Sequence, residues 1–226
     1  MAEPTIIGQG NSGIVFFPSL KCVDDGFDTT GYVSKLVSEE DAQKEMRNSA
    51  IIQTLLPDCA VYYEHMCKSV TIMGDKDTLL FSKYRGKSLN VYIGDYLEWL
   101  YYTGKPSKYY KGKKIPLHFF KDMLVALKKL YVKIKRLNEN GYFHNDIQQE
   151  NIIYDEIEKK AYVIDFERLS TQPLHPHLTD AINMKDLIDT LNKYINGIEF
   201  SLEDKRFGGT KKYKKFKRKN RLTQVK

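Results

Sequence analysis

No stretch of the 226 residues approaches the ~18 consecutive apolar residues that a membrane helix needs, which excludes a helical membrane bundle. The opening Met1-Ala2-Glu3-Pro4 lacks the basic and apolar regions of a signal peptide, so none is expected. Cysteine is scarce. Cys22, Cys59 and Cys67 are odd in number and lack metal-ligand spacing, and they read as reduced thiols in an intracellular protein. Acidic residues are missing from 205–226, which holds eleven of the 36 Lys and Arg residues and leaves 25 basic against 29 acidic in 1–204, a net of −4. The overall charge of +7 therefore belongs to a tail, and the body is mildly acidic rather than a basic nucleic-acid binder. The whole chain, 42% hydrophobic and 29% charged, has the composition of a globular protein of one domain or two small lobes sharing a cleft.

The pattern along the chain is a β-rich front and a helical rear. Ile6-Ile7, Ile14 to Phe17 and Gly31 to Val37 read as strands, with a polar loop from Pro18 to Gly31. Ser38 followed by Glu39, Glu40 and Asp41 predicts a helix start, and Pro57 its end. Val70 to Met73 and Thr78 to Phe81 read as a hairpin around Gly74-Asp75. Leu89 to Leu100 reads as a helix weakened by Gly94, and 103–116 as a solvated loop rich in Lys, Gly and Tyr. Phe120, Met123, Leu124, Leu127, Tyr131, Ile134 and Leu137 recur at helical steps from Leu117 to Asn138. Tyr142-Phe143, Ile152 to Tyr154 and Ala161 to Ile164 predict short strands, and Leu178 to Ile195 a second amphipathic helix.

Three motifs carry chemistry. Gly8-Gln9-Gly10-Asn11-Ser12-Gly13-Ile14-Val15 is a G-x-G-x-x-G-x-V run between two predicted strands. Such glycines let backbone N–H groups approach a phosphate, although a plain hairpin turn would read the same way. Strand-turn-strand context argues against a dinucleotide-binding turn, which leads into a helix. His144-Asn145-Asp146-Ile147-Gln148-Gln149-Glu150-Asn151 fits H-x-D-x-x-x-x-N, and Asp165-Phe166 follows 19 residues after Asp146. Two acids and an amide on turns beside strands are what Mg²⁺ and a hydroxyl nucleophile require.

In this order the motifs resemble the signature set of the protein kinase family. The resemblance covers most of residues 5–195 and implies an α+β, two-lobed protein-kinase-like fold with a minimal C-terminal lobe. It implies a nucleotide-binding lobe over 1–86, a shortened catalytic lobe over 87–204 and a disordered basic tail over 205–226. Gly8, Gly10, Gly13 and Val15 would then cover the phosphates of ATP. Lys35 resembles the strand lysine that holds the α- and β-phosphates, with Lys21 a weaker rival. Glu45 is its expected partner, because Glu39 and Glu40 sit where they cap the helix. Phe81 to Gly86 resembles the hinge, with Ser82 and Tyr84 at the base of ATP. Asp146 would be the catalytic base, Asn151 and Asp165 the Mg²⁺ ligands, and His144 a support for the loop. Gly13 to Cys22, Val33 to Leu36 and the Gly-Gly-Thr-Lys-Lys-Tyr-Lys-Lys run of the tail are similar to kinases and basic tails encoded by large nucleocytoplasmic DNA viruses. That implies a viral protein of the host cytoplasm or virion.

The chain departs from the family in three places. Glu167 follows Asp165-Phe166 where glycine is usual. Gln148 stands where many serine/threonine kinases have a phosphate-neutralising lysine, as is also true of small atypical kinases and aminoglycoside phosphotransferases. Asp204 lies only 37 residues after Glu167, with no Ala-Pro-Glu sequence between. Asp186 reads either as an anchor of the catalytic loop or as a solvated helix residue. The expectation is an ATP- and Mg²⁺-dependent serine/threonine protein kinase, with a pseudokinase or a small-molecule kinase as alternatives. The tail reads as a site for nucleic acid, an acidic membrane surface or a protein, as a nuclear localisation signal, or as a solubilising end.

Overall fold

A computed structural model describes residues 3–10, 13–23, 26–103, 115–175, 177 and 179–206, the side chains of 95, 99 and 200–206 excepted. Asn11 and Ser12 of the glycine turn, the expected loop over 104–114 and the tail from 207 onward lie outside these residues. The fold is mixed α+β. Strands β1 (Thr5–Gly10), β2 (Gly13–Phe17), β3 (Tyr32–Val37), β4 (His65–Met73) and β5 (Lys76–Lys83) form one antiparallel sheet in the order β1-β2-β3-β5-β4. Helix α1 (Glu39–Leu55) packs on one face. Strand β4 begins five residues before the predicted Val70, because the alternation of His65, Cys67 and Ser69 pairs it along the length of β5.

The two faces of this sheet follow the two-residue period of a strand. Leu36, Leu79 and Phe81 point to one side and pack with Phe16 and Leu20. Val37 and Leu80 point to the other and pack with Ala42 of α1. Lys35, two residues from Val37 and paired with Leu80, shares the α1 face. Gly8, Val15, Lys35 and Leu80 are successive cross-strand partners and form one row on that face. Helix α1 starts where Ser38 Oγ accepts from Asp41 N at 3.2 Å, and its inward stripe is Ala42, Glu45, Ser49 and Ile52.

The rear forms the larger core. Strand β6 (Lys87–Ser88) pairs with β7 (Ile152–Asp155), which pairs with β8 (Lys160–Val163). Around them lie α2 (Leu89–Tyr92), a π-helical segment (Ile93–Glu98), α3 (Trp99–Thr103), α4 (Leu117–Glu139) and α5 (Asp180–Arg206). The predicted helix from Leu89 thus exists but widens around Gly94, where a Cβ would meet Asn90 Oδ1 at 2.6 Å. The inner stripe of α4 holds the predicted residues except Tyr131, which is half-buried while Leu130 is buried. It packs against Met184, Ile188 and Leu191 of α5. Helix α5 runs 11 residues beyond the predicted Ile195 and includes Lys205 and Arg206, assigned in sequence to the tail. Tyr142-Phe143 is not a strand; Phe143 makes a single antiparallel bridge to Ser170. No helix among the described residues is long and apolar enough to cross a membrane.

The reading of three reduced thiols is overturned. Cys22 and Cys67 form a disulfide across a separation of 45 residues. The segment after β2 runs antiparallel to β4, with Val23 N donating to Lys68 O at 2.9 Å and Val70 N to Lys21 O at 3.3 Å, which brings Cys22 beside Cys67. Nothing local in the sequence encodes that pairing. Cys59 is free and buried, and burial pushes its thiol up to about 11. A crosslink closing a loop of this length stabilises mainly by restricting the unfolded chain. Replacing Cys22 and Cys67 with serine should cost about 2–4 kcal/mol in denaturant unfolding, and an unchanged midpoint would contradict the pairing.

Candidate functional site

Lys35 is the centre of the site. Its Nζ lies 2.8 and 3.0 Å from the two carboxylate oxygens of Glu45 and 3.4 Å from Asp165 Oδ1. Lys35 is 6% and Glu45 1% exposed, so this is a buried ion pair joining the sheet to α1. Burial acts to lower the Lys35 pKa, but the charges of Glu45 and Asp165 outweigh it and leave the ammonium above its ordinary value. The pKa of the Tyr63 hydroxyl, beside Glu45, is pushed well up by burial first and by that carboxylate second. Glu39, by contrast, is exposed and pairs with Lys68 at 2.8 Å. The inward stripe of α1 decides this: position 45 faces the sheet and position 39 does not. Lys21 is exposed and its carbonyl pairs with β4, away from this row.

Asp165 sits just past β8 in a left-handed conformation, φ 63°, which a non-glycine residue adopts only when held there. Its neighbours hold it. Ile164 N donates to Asn151 O at 3.0 Å, Phe166 is buried against His144, and Asn48 of α1 donates to Phe166 O at 2.7 Å. The carboxylates of Glu45, Asp165 and Glu167 have oxygens within 4.8 Å of one another. Three carboxylates face one ammonium, and such an excess of negative oxygen donors suits a hard divalent cation.

The loop from His144 to Asn151 follows the end of α4 and is pinned from below by Asp180, the first residue of α5. Asp180 Oδ2 accepts from His144 N at 2.6 Å and Asn138 Nδ2 at 2.9 Å, and Oδ1 from Asn145 N at 2.9 Å. The anchor is therefore Asp180, and Asp186 lies exposed a turn and a half further on. Asn145, at φ 65°, staples the loop to the following segment: Nδ2 donates to Arg168 O at 3.1 Å and Oδ1 accepts from Leu174 N at 2.8 Å. His144 is buried. Its Nε2 donates to Ile164 O at 2.9 Å, and its Nδ1 accepts from Asp146 N at 3.2 Å, which requires a neutral ring. Burial accordingly holds its pKa below the ordinary 6.5.

Asp146 is thus aimed by backbone and side chains together. Asn151 Nδ2 donates to Asp146 O and to Asp146 Oδ2, each at 2.9 Å, and Arg168 Nη1 lies 3.6 Å from Asp146 Oδ1. With its nitrogen so used, Asn151 has its amide oxygen left for a cation. Gln148 Nε2 reaches Asp146 Oδ2 at 3.4 Å.

The glycine run is partly a packing device. A Cβ on Gly13 would lie 2.7 Å from Val37 Cγ1 and 2.8 Å from Leu36 O, so glycine there lets β2 pass over β3 beside Lys35. Gly8 and Gly10 carry no such crowding. Ser82 is buried on β5 opposite Val33. Tyr84 N donates to Gly31 O at 3.0 Å and its ring stacks on Phe17 at 4.4 Å, so that donor is already committed within the protein. The structure therefore groups Lys35, Glu45 and Asp165 by direct contact, and Asp146 and Asn151 by direct contact. Gly8, Val15 and Ser82 lie on the α1 face of the sheet that carries Lys35. Sequence reasoning missed Asp180, Asn145, Asn48 and Arg168. Asp180 carried a signal, as an acid at a helix start that could serve a distant loop. Arg168 carried none.

No protein-family model matches the chain, and no curated protein matches it.

Two outcomes test this geometry. Asp180→Ala should destabilise the fold by roughly 3 kcal/mol, since three donors lose a charged acceptor, whereas Asp186→Ala should stay within about 0.5 kcal/mol by denaturant unfolding. Because the His144 pKa is lower folded than unfolded, the unfolded chain takes up the proton first as pH falls below 6.5. The melting temperature should therefore drop through that window, with a shallower drop in His144→Gln. Equal slopes would place the acid sensitivity elsewhere.

Proposed function

We propose that this protein is an ATP- and Mg²⁺-dependent phosphotransferase with a two-lobed protein-kinase-like fold and a minimal C-terminal lobe, acting on a hydroxyl acceptor as a serine/threonine protein kinase does. The observation that carries this reading is the convergence on Lys35 of Glu45, ten residues away, and Asp165, 130 residues away. A lysine held in place by a buried glutamate, with a second carboxylate beside it, is suited to orient a triphosphate. The Gly8 to Val15 hairpin forms the adjoining rows of the same sheet. The residues fit a Mg²⁺ ion: Asp165 and the Asn151 oxygen would hold it, and Glu167 adds a nearby carboxylate. Bound there, the ion would neutralise charge on the β- and γ-phosphate oxygens.

In this mechanism Asp146 accepts a hydrogen bond from the acceptor hydroxyl and orients its oxygen toward the γ-phosphorus. A bond forms between that oxygen and phosphorus, the bond to the β–γ bridging oxygen breaks, ADP leaves with the electron pair, and the proton passes to Asp146. Lys35 stabilises charge on the nucleotide. Arg168 places a cation beside Asp146 where Gln148 supplies none, and neutralises the phosphoryl group in transit. Catalysis of this kind is positioning and charge compensation, which accounts for the number of contacts that do nothing but hold Asp146 and Asp165.

One observation favours a second reading, an ATP-binding module without turnover: the Glu167 carboxylate crowds the Lys35 cluster and competes with a triphosphate for it. Transfer from γ-labelled ATP separates the two. The phosphotransferase reading expects label on an acceptor, lowered at least a hundredfold in Asp146→Asn and in Asp165→Asn. Near-normal transfer in Asp165→Asn contradicts the mechanism. Stabilisation by Mg-ATP with no transfer to any acceptor supports the binding module.

A further inference from the structure

Beside Asp146 lies a cavity of about 500 Å³, walled by the π-helical segment, the 145–150 loop and the first turns of α5. Four carboxylates line it, those of Glu98, Asp146, Glu150 and Asp186, and among the described residues no lysine or arginine does. Arg168, which reaches Asp146, is outside the lining. The fold does not use all of these acids. Asp180 anchors the loop, so of the two readings of Asp186 the solvated helix residue holds, and Glu150 and Asp186 are exposed. Gln149 also lines the cavity, while its Oε1 is shut from solvent without a hydrogen-bond partner among the described residues. The widened helix contributes as well: Gly94 lines the cavity, at a position where a Cβ would meet the Asn90 side-chain oxygen.

We propose that the acceptor is a cationic alcohol, a hydroxyl flanked by ammonium or guanidinium groups, which Glu98, Glu150 and Asp186 draw into this cavity so that its hydroxyl meets Asp146. The proposal rests on the phosphotransferase reading and names its acceptor class. Carboxylates grouped on one side of the reacting hydroxyl favour cations there and repel acidic acceptors, which is specificity by charge complementarity. It also requires no peptide-binding helices beyond the short rear. Two sources share this chemistry, a serine or threonine between basic residues of a polypeptide and a small polyhydroxylated amine. The transfer step is the one already described: the acceptor oxygen gains the γ-phosphoryl group, ADP leaves, and Asp146 takes the proton.

The test uses the full chain with Mg-ADP and fluorescence anisotropy of two labelled peptides, one with serine between arginines and one with serine between glutamates, and a polyhydroxylated amine as competitor. The expected result is at least tenfold tighter binding of the basic peptide or, for the small-molecule source, saturable binding of the amine. In either case Glu150→Lys/Asp186→Lys should lose at least tenfold, with a melting temperature near that of the parent and weaker binding as salt rises. Label from γ-labelled ATP then identifies which cation is the acceptor. Equal binding of acidic and basic peptides without amine binding, or an undiminished preference in the double variant, overturns the inference. If Mg-ATP still raises the melting temperature in that case, the nucleotide site stands and only the acceptor class falls. If Mg-ATP has no effect, the phosphotransferase reading itself fails.

Discussion

The structure depends on one buried ammonium. Lys35 has two short contacts to Glu45 and a longer one to Asp165, and these three residues come from the sheet, from α1 and from the segment after β8. A charge buried to this degree must be paired, because removing one partner from a buried ion pair costs about 3–5 kcal/mol. The pair therefore fixes the rotation of α1 on the sheet, and Asn48, one turn along α1, ties Phe166 to the same helix. Moving α1 would expose or unpair Lys35, so the helix orientation and the geometry of Asp165 form one constraint.

A second, smaller network does for Asp146 what the ion pair does for Asp165. Asp180 gathers the N–H groups of His144 and Asn145, and the neutral His144 ring links Ile164 O to Asp146 N. His144 also touches Phe166, so the two loops share a wall. Two residues in this region, Asn145 and Asp165, hold left-handed backbone angles that cost energy in a free chain. That strain is sustained by side-chain hydrogen bonds from elements distant in sequence, and it places both carboxylates on rigid supports rather than on flexible turns.

Much of the architecture was legible in the sequence because it is local. The Ser38 cap, the stripe of α4 and the alternation of β3 and β5 each follow from a period or a cap readable within one window. Lys35 and Glu45 were named by resemblance, Glu45 because Glu39 and Glu40 sit at the helix start, whereas the sheet parity and helix phase that bring them together are visible only in the fold. What was missed is non-local. The Cys22–Cys67 disulfide depends on a loop lying against β4, and Asp180, which the sequence did not single out, anchors the loop because the start of α5 abuts the end of α4. The residues of the motifs likewise could be picked out from the sequence, whereas the acidic cavity beside Asp146 required three separate segments to be brought together.

The central claim is that the Lys35 cluster is a triphosphate site. Calorimetric titration of Mg-ATP into the protein and into Lys35→Met tests it most directly. The account predicts saturable one-to-one binding that weakens at least tenfold when the ammonium is removed. Equal affinity in the two proteins, or no binding by the parent chain, would contradict it.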